Sequence, residues 1–428
     1  MEYLASNKIA IIDLATRDII EEELEDDLVL EKIGGVGITK SLYDRFADEN
    51  PIVLGTGLLT GSLVPGSALS VITAKSPSTG RVSHVPLTLD AGMELKYSGF
   101  DYMVIKGAAD KPVYLWVHDG IADLNDAEDL WGKDVWAATD RIRDLMGDDL
   151  IQVLGIGEAG EKGSDLAQIS INYWQSGDRM GFGSLFGKKR LKLIAIRGMG
   201  LLEIAEPEEF VEHCAGLLSA LKSGKTSGMK GIATMAAAMG EADIEGWLKP
   251  LTHKHMACFN TPVPTNTFVF LDEDPALLKE TSVAEPGFLL TDISPLLTLK
   301  RLGLTAADAC RILKVCAKYG MDGAAVAELS EKTGLKDPEA IKGSLPNLKG
   351  PVSSSGNAVF SPWAAVGNQE PKTWMRREAV AYIFGLHPIF ALMAPELTEE
   401  KLLEISSLGT ELELTSETLD EVIADITG

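Results

Sequence analysis

Two groups of residues carry side chains that could do chemistry. The first is the run DRMGFGSLFGKKRLK from Asp178 to Lys192, where Arg179, Gly181, Gly183 and Gly187 lead into Lys188, Lys189, Arg190 and Lys192. Open glycine backbone beside guanidinium and ammonium groups suits a phosphate-bearing ligand. The same charges also read as a solvated face ahead of the apolar strand Leu191 to Ile196, and the sequence leaves both readings open. The second group is His253-x-His255-x-x-Cys258, with His387 far downstream. These are four zinc-type ligands, and His-x-His on a strand would put both rings on one face. His253 and His255 flank Lys254 in an expected loop, however, and no metal is expected there. Cys310 and Cys316 lie on a predicted helix and face different directions, so they read as core residues.

The elements that must position these groups are organised around Ile52 to Lys106. There the apolar run Ile52-Val53-Leu54 meets Gly55, Gly57, Gly61 and Gly66, which let the backbone approach a ligand or another segment closely. Leu69, Val71 and Thr73 alternate as in a strand, Lys75 to Gly80 is turn chemistry, and Asp90 to Ser98 reads as a helix stopped by Gly99. Strands are expected at Lys8 to Leu14, Arg17 to Glu23, Tyr102 to Lys106, Val113 to Val117, Ile151 to Leu154 and Leu191 to Ile196. The glycines of GGVGITKSLYDRF open a further helix, a weak phosphate signal that serves equally as a strand-to-helix turn. Beyond Gly198 helices dominate: Pro207 to Lys222, Met229 to Met239, Ala306 to Tyr319, Asp337 to Lys342, Trp374 to Met393, Glu399 to Ser406 and Ser416 to Ile426. A loop rich in Pro, Gly, Ser and Asn is expected from Lys349 to Gln369. The fold class is therefore α+β, a β-rich domain of two packed sheets over residues 1–200 followed by a helical domain over 201–428.

Composition excludes several function classes. The chain of 428 residues carries a formal net charge of -24, which repels nucleic acid and anionic lipid. No apolar run approaches the roughly 20 residues of a membrane span. Four cysteines in a chain this long do not make a disulfide framework. The opening MEYLASNKIAIIDLATRD lacks the basic and apolar regions of a signal peptide, and a cytoplasmic protein is expected.

TGLLTGSLVPGS, TAKSPSTG, ELKYSGFDYMVIKGAADKPVYLWV, GIGEAGEKGSDLAQISIN and DRMGFGSLFGKKRLKLIAIRG occur in this order. In order and spacing they resemble the N-terminal domain of the tungsten-pterin aldehyde:ferredoxin oxidoreductases. The resemblance implies a pterin contact at Arg179, with Gly181 and Gly183 beside it. It also implies a four-iron cluster on a C-x2-C-x3-C run plus one downstream cysteine. Here Cys258 falls on the first position, but Thr261, Thr265 and His387 fall on the others. Thiolates hold such clusters, and threonine is a poor ligand for their iron.

Of the family's two aspartate-bearing pterin motifs, the first keeps only Asp322, in Ala317-Lys318-Tyr319-Gly320-Met321-Asp322. The second, Tyr382 to His387, keeps no aspartate. The family's Asn-Ser-Gly-Gly turn becomes Pro86-Leu87-Thr88-Leu89, and Asp292 is the acid nearest to its catalytic glutamate. The segment between Asp322 and Tyr382 is short against the family's, so the chain resembles a shortened, divergent member. The expectation is a relative without its own catalysis and without the four-iron cluster, keeping the fold to bind a small ligand or a partner subunit. The alternative is an active tungsten- or molybdenum-pterin oxidoreductase, acting on an aldehyde or oxo substrate through a separate electron-transfer subunit. A purely structural subunit is a third class. Partners implied are a redox subunit or a second copy of the chain.

Overall fold

The computed structural model describes residues 2–238, 243–272, 287–348, 359–360 and 371–428. Eleven strands fall before residue 200: β1 (Lys8–Asp13), β2 (Asp18–Glu23), β3 (Ile52–Thr56), β4 (Ser70–Lys75), β5 (Val82–Leu87), β6 (Tyr102–Lys106), β7 (Val113–His118), β8 (Ile121–Asp126), β9 (Gln152–Gly155), β10 (Ser170–Ile171) and β11 (Leu191–Arg197). They form a six-stranded sheet in the order β2-β1-β6-β3-β4-β5 and a five-stranded sheet in the order β10-β9-β11-β7-β8. The β1–β6 and β7–β11 pairs are parallel, and the other pairings are antiparallel.

Strand periodicity decides which residues the two sheets share. Ala10, Ile12, Leu54, Ile72, Met103 and Ile105 of the first sheet pack with Val113, Leu115, Ile194 and Ile196 of the second. The alternate residues Ile9, Ile11, Val53, Val71 and Val104 face the helix Gly35–Arg45 and the C-terminal helices, including Val380, Ile383, Leu419 and Val422. On its far side the second sheet packs Tyr114, Val153, Leu193 and Ala195 against Ala138 and Ile142 of the helix Val135–Met146. The two sheets thus lie between helical layers.

After residue 200 the structure departs from the expected run of helices. A third sheet orders β12 (Thr252–Met256), β13 (Asn266–Val269) and β14 (Phe288–Leu290). His253 and His255 therefore lie on a strand, not in the expected loop. THKHM is half-exposed along its length and has little apolar signal, so its conformation comes from pairing with β13. Similarly, Pro86 and Leu87, which replace part of the family's Asn-Ser-Gly-Gly turn, belong to β5, a strand not among those expected. Proline is tolerated there because β5 ends its sheet.

The helix Ala306–Tyr319 begins where the Thr305 hydroxyl accepts the Asp308 N–H at 3.1 Å, and Gly320 ends it at φ +74°. Asp322 then starts the helix Gly323–Thr333 by accepting the Ala324 N–H at 2.9 Å. The loop expected from Lys349 to Gln369 lies outside the described residues except at 359 and 360. No described helix is long and apolar enough to cross a membrane.

Candidate functional site

Gly181, Gly183 and Asp322 come together around residues 165–168, and Arg179 lies close enough to Asp322 to feel its charge. Asp322 donates its N–H to Leu166 O at 3.0 Å, Gln168 donates its own to Gly320 O at 3.0 Å, and Gly183 donates to Ala167 O at 3.2 Å. A Cβ on Gly183 would sit 2.5 Å from Gln168 O, and one on Gly181 would sit 2.5 Å from Asp165 O. Gly181 also has φ +78°. Here the glycines admit neighbouring backbone.

The charges of this region are buried and turned on one another. The Arg179 guanidinium, 4% exposed, forms an ion pair with Asp292. Asp292 also accepts the Ser294 N–H at 2.9 Å and its hydroxyl at 3.0 Å, so it is fully engaged. Burial lowers the Arg179 pKa, and Asp322 and Glu328 oppose that shift. Asp322, 7% exposed, is pushed up to about 6 by burial against the pull of Arg179. Its second carboxylate oxygen accepts no hydrogen bond from the described residues. Asp178 is raised to about 7 by burial, although it accepts the N–H groups of Ile169 and Met180 at 3.0 and 2.9 Å.

Lys189, Arg190 and Lys192 are engaged within the chain as well, whereas Lys188 is exposed. Lys189 donates to Gly107 O at 3.0 Å, and Arg190 reaches Asp110 O. Lys192, wholly buried, reaches Lys133 O at 2.8 Å and the Glu161 carboxylate at 2.5 Å. Lys189 and Lys192 are thus not the solvated charges that one reading of the sequence proposed. Sequence reasoning also missed the pairing of Arg179 with Asp292. The local signal was Asp292-x-Ser294, a carboxylate two residues before a hydroxyl and backbone donor, but the partner comes from 113 positions away.

The second crossing joins three segments. Leu58 and Leu59 donate to Ile383 O and Phe384 O at 3.2 and 2.9 Å, and Leu69 donates to Gly385 O at 2.9 Å. His387 N–H donates to Gly66 O at 2.7 Å, and Gly66 N–H donates to Asn260 O at 2.8 Å. A Cβ on Gly57 would lie 2.2 Å from the Gly385 Cα, so the turn after Phe384 seats directly on the glycine-rich stretch.

This stitching places Cys258, Thr261, Thr265 and His387 in one buried neighbourhood. Burial pushes the Cys258 thiol up to about 11, and its sulfur takes a hydrogen bond from Asn266 Nδ2 at 3.5 Å, with Thr265 Oγ1 at 3.9 Å. The Thr261 hydroxyl donates to Phe259 O at 3.3 Å. Burial drives His387 down to about 4, and its neutral Nδ1 accepts the Phe390 N–H at 3.4 Å. It thereby caps the helix Pro388–Met393.

One protonated thiol, two hydroxyls and one imidazole occupied at Nδ1 are not the thiolate set that a four-iron cluster requires. That group does not fit these residues. A pair of pterins does not fit either. Asp322 offers one open oxygen, but Ala317 is apolar, and buried Tyr382 packs its ring 4.8 Å from Phe360. Elsewhere, His253 stacks on Phe270 with ring centroids 4.1 Å apart, and His255 Nδ1 lies 3.2 Å from Thr267 Oγ1. Among the described residues, no three His, Cys, Asp or Glu side chains converge as metal ligands.

Residues 9–198 match the family described as aldehyde ferredoxin oxidoreductase, N-terminal domain. Over these residues, under half of its length, the chain is similar to the N-terminal domain of the aldehyde ferredoxin oxidoreductases. It is 33% identical over 229 residues to the tungsten-containing aldehyde ferredoxin oxidoreductase of Pyrococcus abyssi, across 52% of this chain and 38% of that protein. The tungsten-containing aldehyde ferredoxin oxidoreductase of Pyrococcus furiosus is 32% identical over 208 residues, or 47% and 34% of the two chains. A 29% identity over 231 residues links it to the WOR-like subunit of aliphatic sulfonate oxidoreductase from Pyrococcus furiosus, across 48% and 37%. The matched regions thus span less than two fifths of these curated relatives. Among solved structures, a chain of the active site complex BamBC of benzoyl coenzyme A reductase, in complex with 1,5 dienoyl-CoA, superposes with a TM-score of 0.65. That match covers 99% of this chain and 65% of the other at 21% identity, and shows a shared fold.

Proposed function

We propose that this chain is a non-catalytic relative of the aldehyde ferredoxin oxidoreductases, retained as a scaffold that binds a small ligand or a partner subunit. The observation that carries this reading is the self-sufficiency of the Cys258–His387 crossing. Its thiol, its two hydroxyls and His387 Nδ1 each find a partner within the chain, and the set contributes no thiolate. Without a cluster the chain has no evident relay for passing electrons to a ferredoxin. Support for a partner comes from two relatives: one is named as a subunit, and the fold neighbour belongs to a complex. A second copy of this chain is the other partner considered.

A second reading draws on the open oxygen of Asp322 beside Arg179. In it the chain binds a tungsten- or molybdenum-pterin and passes electrons through a separate subunit. Elemental analysis of anaerobically purified protein separates the two. The scaffold reading expects W, Mo and Fe each well below one atom per chain. Stoichiometric W or Mo without iron would favour the second reading, and stoichiometric iron would defeat the first. Native mass spectrometry of the chain isolated with its natural partners tests the subunit role: a monomer with no bound partner counts against it.

A further inference from the structure

The helices Pro371–Phe384, Pro388–Met393 and Glu399–Thr410 surround a half-open cavity of about 300 Å³. Its walls mix apolar side chains, Val380, Leu386, Ala391, Leu397 and Leu402, with the polar Thr398 and Glu399, and Arg377 stands among them. The volume lies at the small end of the range for ligand sites, whose usual make-up is an apolar lining with few placed polar groups.

The two adjacent arginines of this helix are used differently. Arg376 grips both oxygens of Glu399 at 2.7 Å and reaches Asp420 at 2.7 Å, which neutralises the carboxylate at the cavity rim. Arg377 donates Nη1 to Leu392 O at 3.0 Å, and no described carboxylate pairs with it. The residue lines a cavity in a chain of net charge -24. A guanidinium fork matches a carboxylate in two parallel hydrogen bonds.

From this geometry we infer that the cavity binds a small organic anion, a monocarboxylate with a short apolar tail. The carboxylate meets Arg377, and the tail lies against Val380, Leu386 and Leu402. Nothing in this depends on a metal or pterin, so the metal content of the protein leaves it standing.

The test titrates hexanoate into the full chain by calorimetry, with 1-hexanol and hexylamine as controls carrying the same tail. Saturable one-to-one binding of hexanoate is expected, about tenfold or more tighter than 1-hexanol, as a charge-assisted hydrogen bond implies. Hexylamine should bind more weakly than either. Arg377→Gln should bring hexanoate down to the 1-hexanol level. Arg377→Lys keeps the charge and guards against loss of the Leu392 contact, and it should retain part of the preference. Ala391→Met, which fills the cavity and leaves the charge alone, should weaken both hexanoate and 1-hexanol. The assignment is overturned if hexanoate fails to saturate, if it binds no tighter than 1-hexanol, or if folded Arg377→Gln binds it as well as the wild type does.

Discussion

The crossing at Arg179 and the crossing at Cys258 solve one physical problem in opposite ways. Both bring together segments distant in sequence, and both bury polar groups that must find partners. Around Arg179 the ionisable groups are kept and turned on one another: guanidinium against Asp292, with Asp322 and Glu328 close by. Around Cys258 the groups are neutral, a thiol, two hydroxyls and an uncharged imidazole. A buried charge is expensive to strand, whereas a neutral hydroxyl bonded to nearby backbone is cheap to remove. Substitutions should therefore hurt far more at the first crossing than at the second.

The largest effect is expected from Asp292→Ala. It removes the carboxylate paired with the buried Arg179 guanidinium, and urea denaturation should record a loss of about 3–5 kcal/mol. A loss under about 1 kcal/mol would mean that Asp322 and Glu328 already carry the charge.

Next comes pH, where the two crossings have opposite signs. His387 sits near 4 in the folded chain against an ordinary 6.5, so the unfolded chain takes up a proton first as pH falls. Its contribution is intact above pH 6.5 and is lost on acidification toward 4. The advantage of the wild type over His387→Gln should shrink by up to about 3 kcal/mol across that window. Buried His84, lowered to about 3, acts in the same direction. Asp322 is raised from 3.8 to about 6, so its contribution is present below 3.8 and is lost as pH rises through 6. The advantage of the wild type over Asp322→Asn should therefore shrink as pH rises across that window. Matching pH trends for the two variants would erase the contrast between the crossings.

The smallest effect belongs to Thr261→Val, because the hydroxyl bonds only to the carbonyl of Phe259 two residues away. A change within about 1 kcal/mol is expected by the same denaturation measurement. A loss as large as that of Asp292→Ala would show that the Cys258 crossing depends on its hydroxyls in a way the geometry does not suggest.

Much of this architecture was legible in the sequence, for reasons that differ by region. Strands such as β3 and β6 are apolar runs bounded by turn residues, and the helix Ala306–Tyr319 carries its cap and its stop in Thr305 and Gly320. β12 was not legible, because its polar residues become a strand only by pairing with β13. β5 was hidden by Pro86, whose place at a sheet end is a tertiary fact. At the site, the glycines announced close approach without saying what approaches. Gly57 receives Gly385, and Gly183 receives Gln168. The charge of Arg179 was visible in the sequence, but the identity of its partner was not.

The proposed scaffold role rests on the Cys258 crossing holding no cluster because of its donors and for no larger reason of fold. It is tested most directly by putting the donors back. The wild type and a Thr261→Cys/Thr265→Cys/His387→Cys triple variant would be reconstituted anaerobically with iron and sulfide, and iron and visible absorption measured for both. The account predicts a colourless wild type with iron well below one atom per chain, and a brown triple variant holding about four, with broad absorption near about 400 nm. A wild type that takes up about four irons with a reducible paramagnetic signal would contradict it.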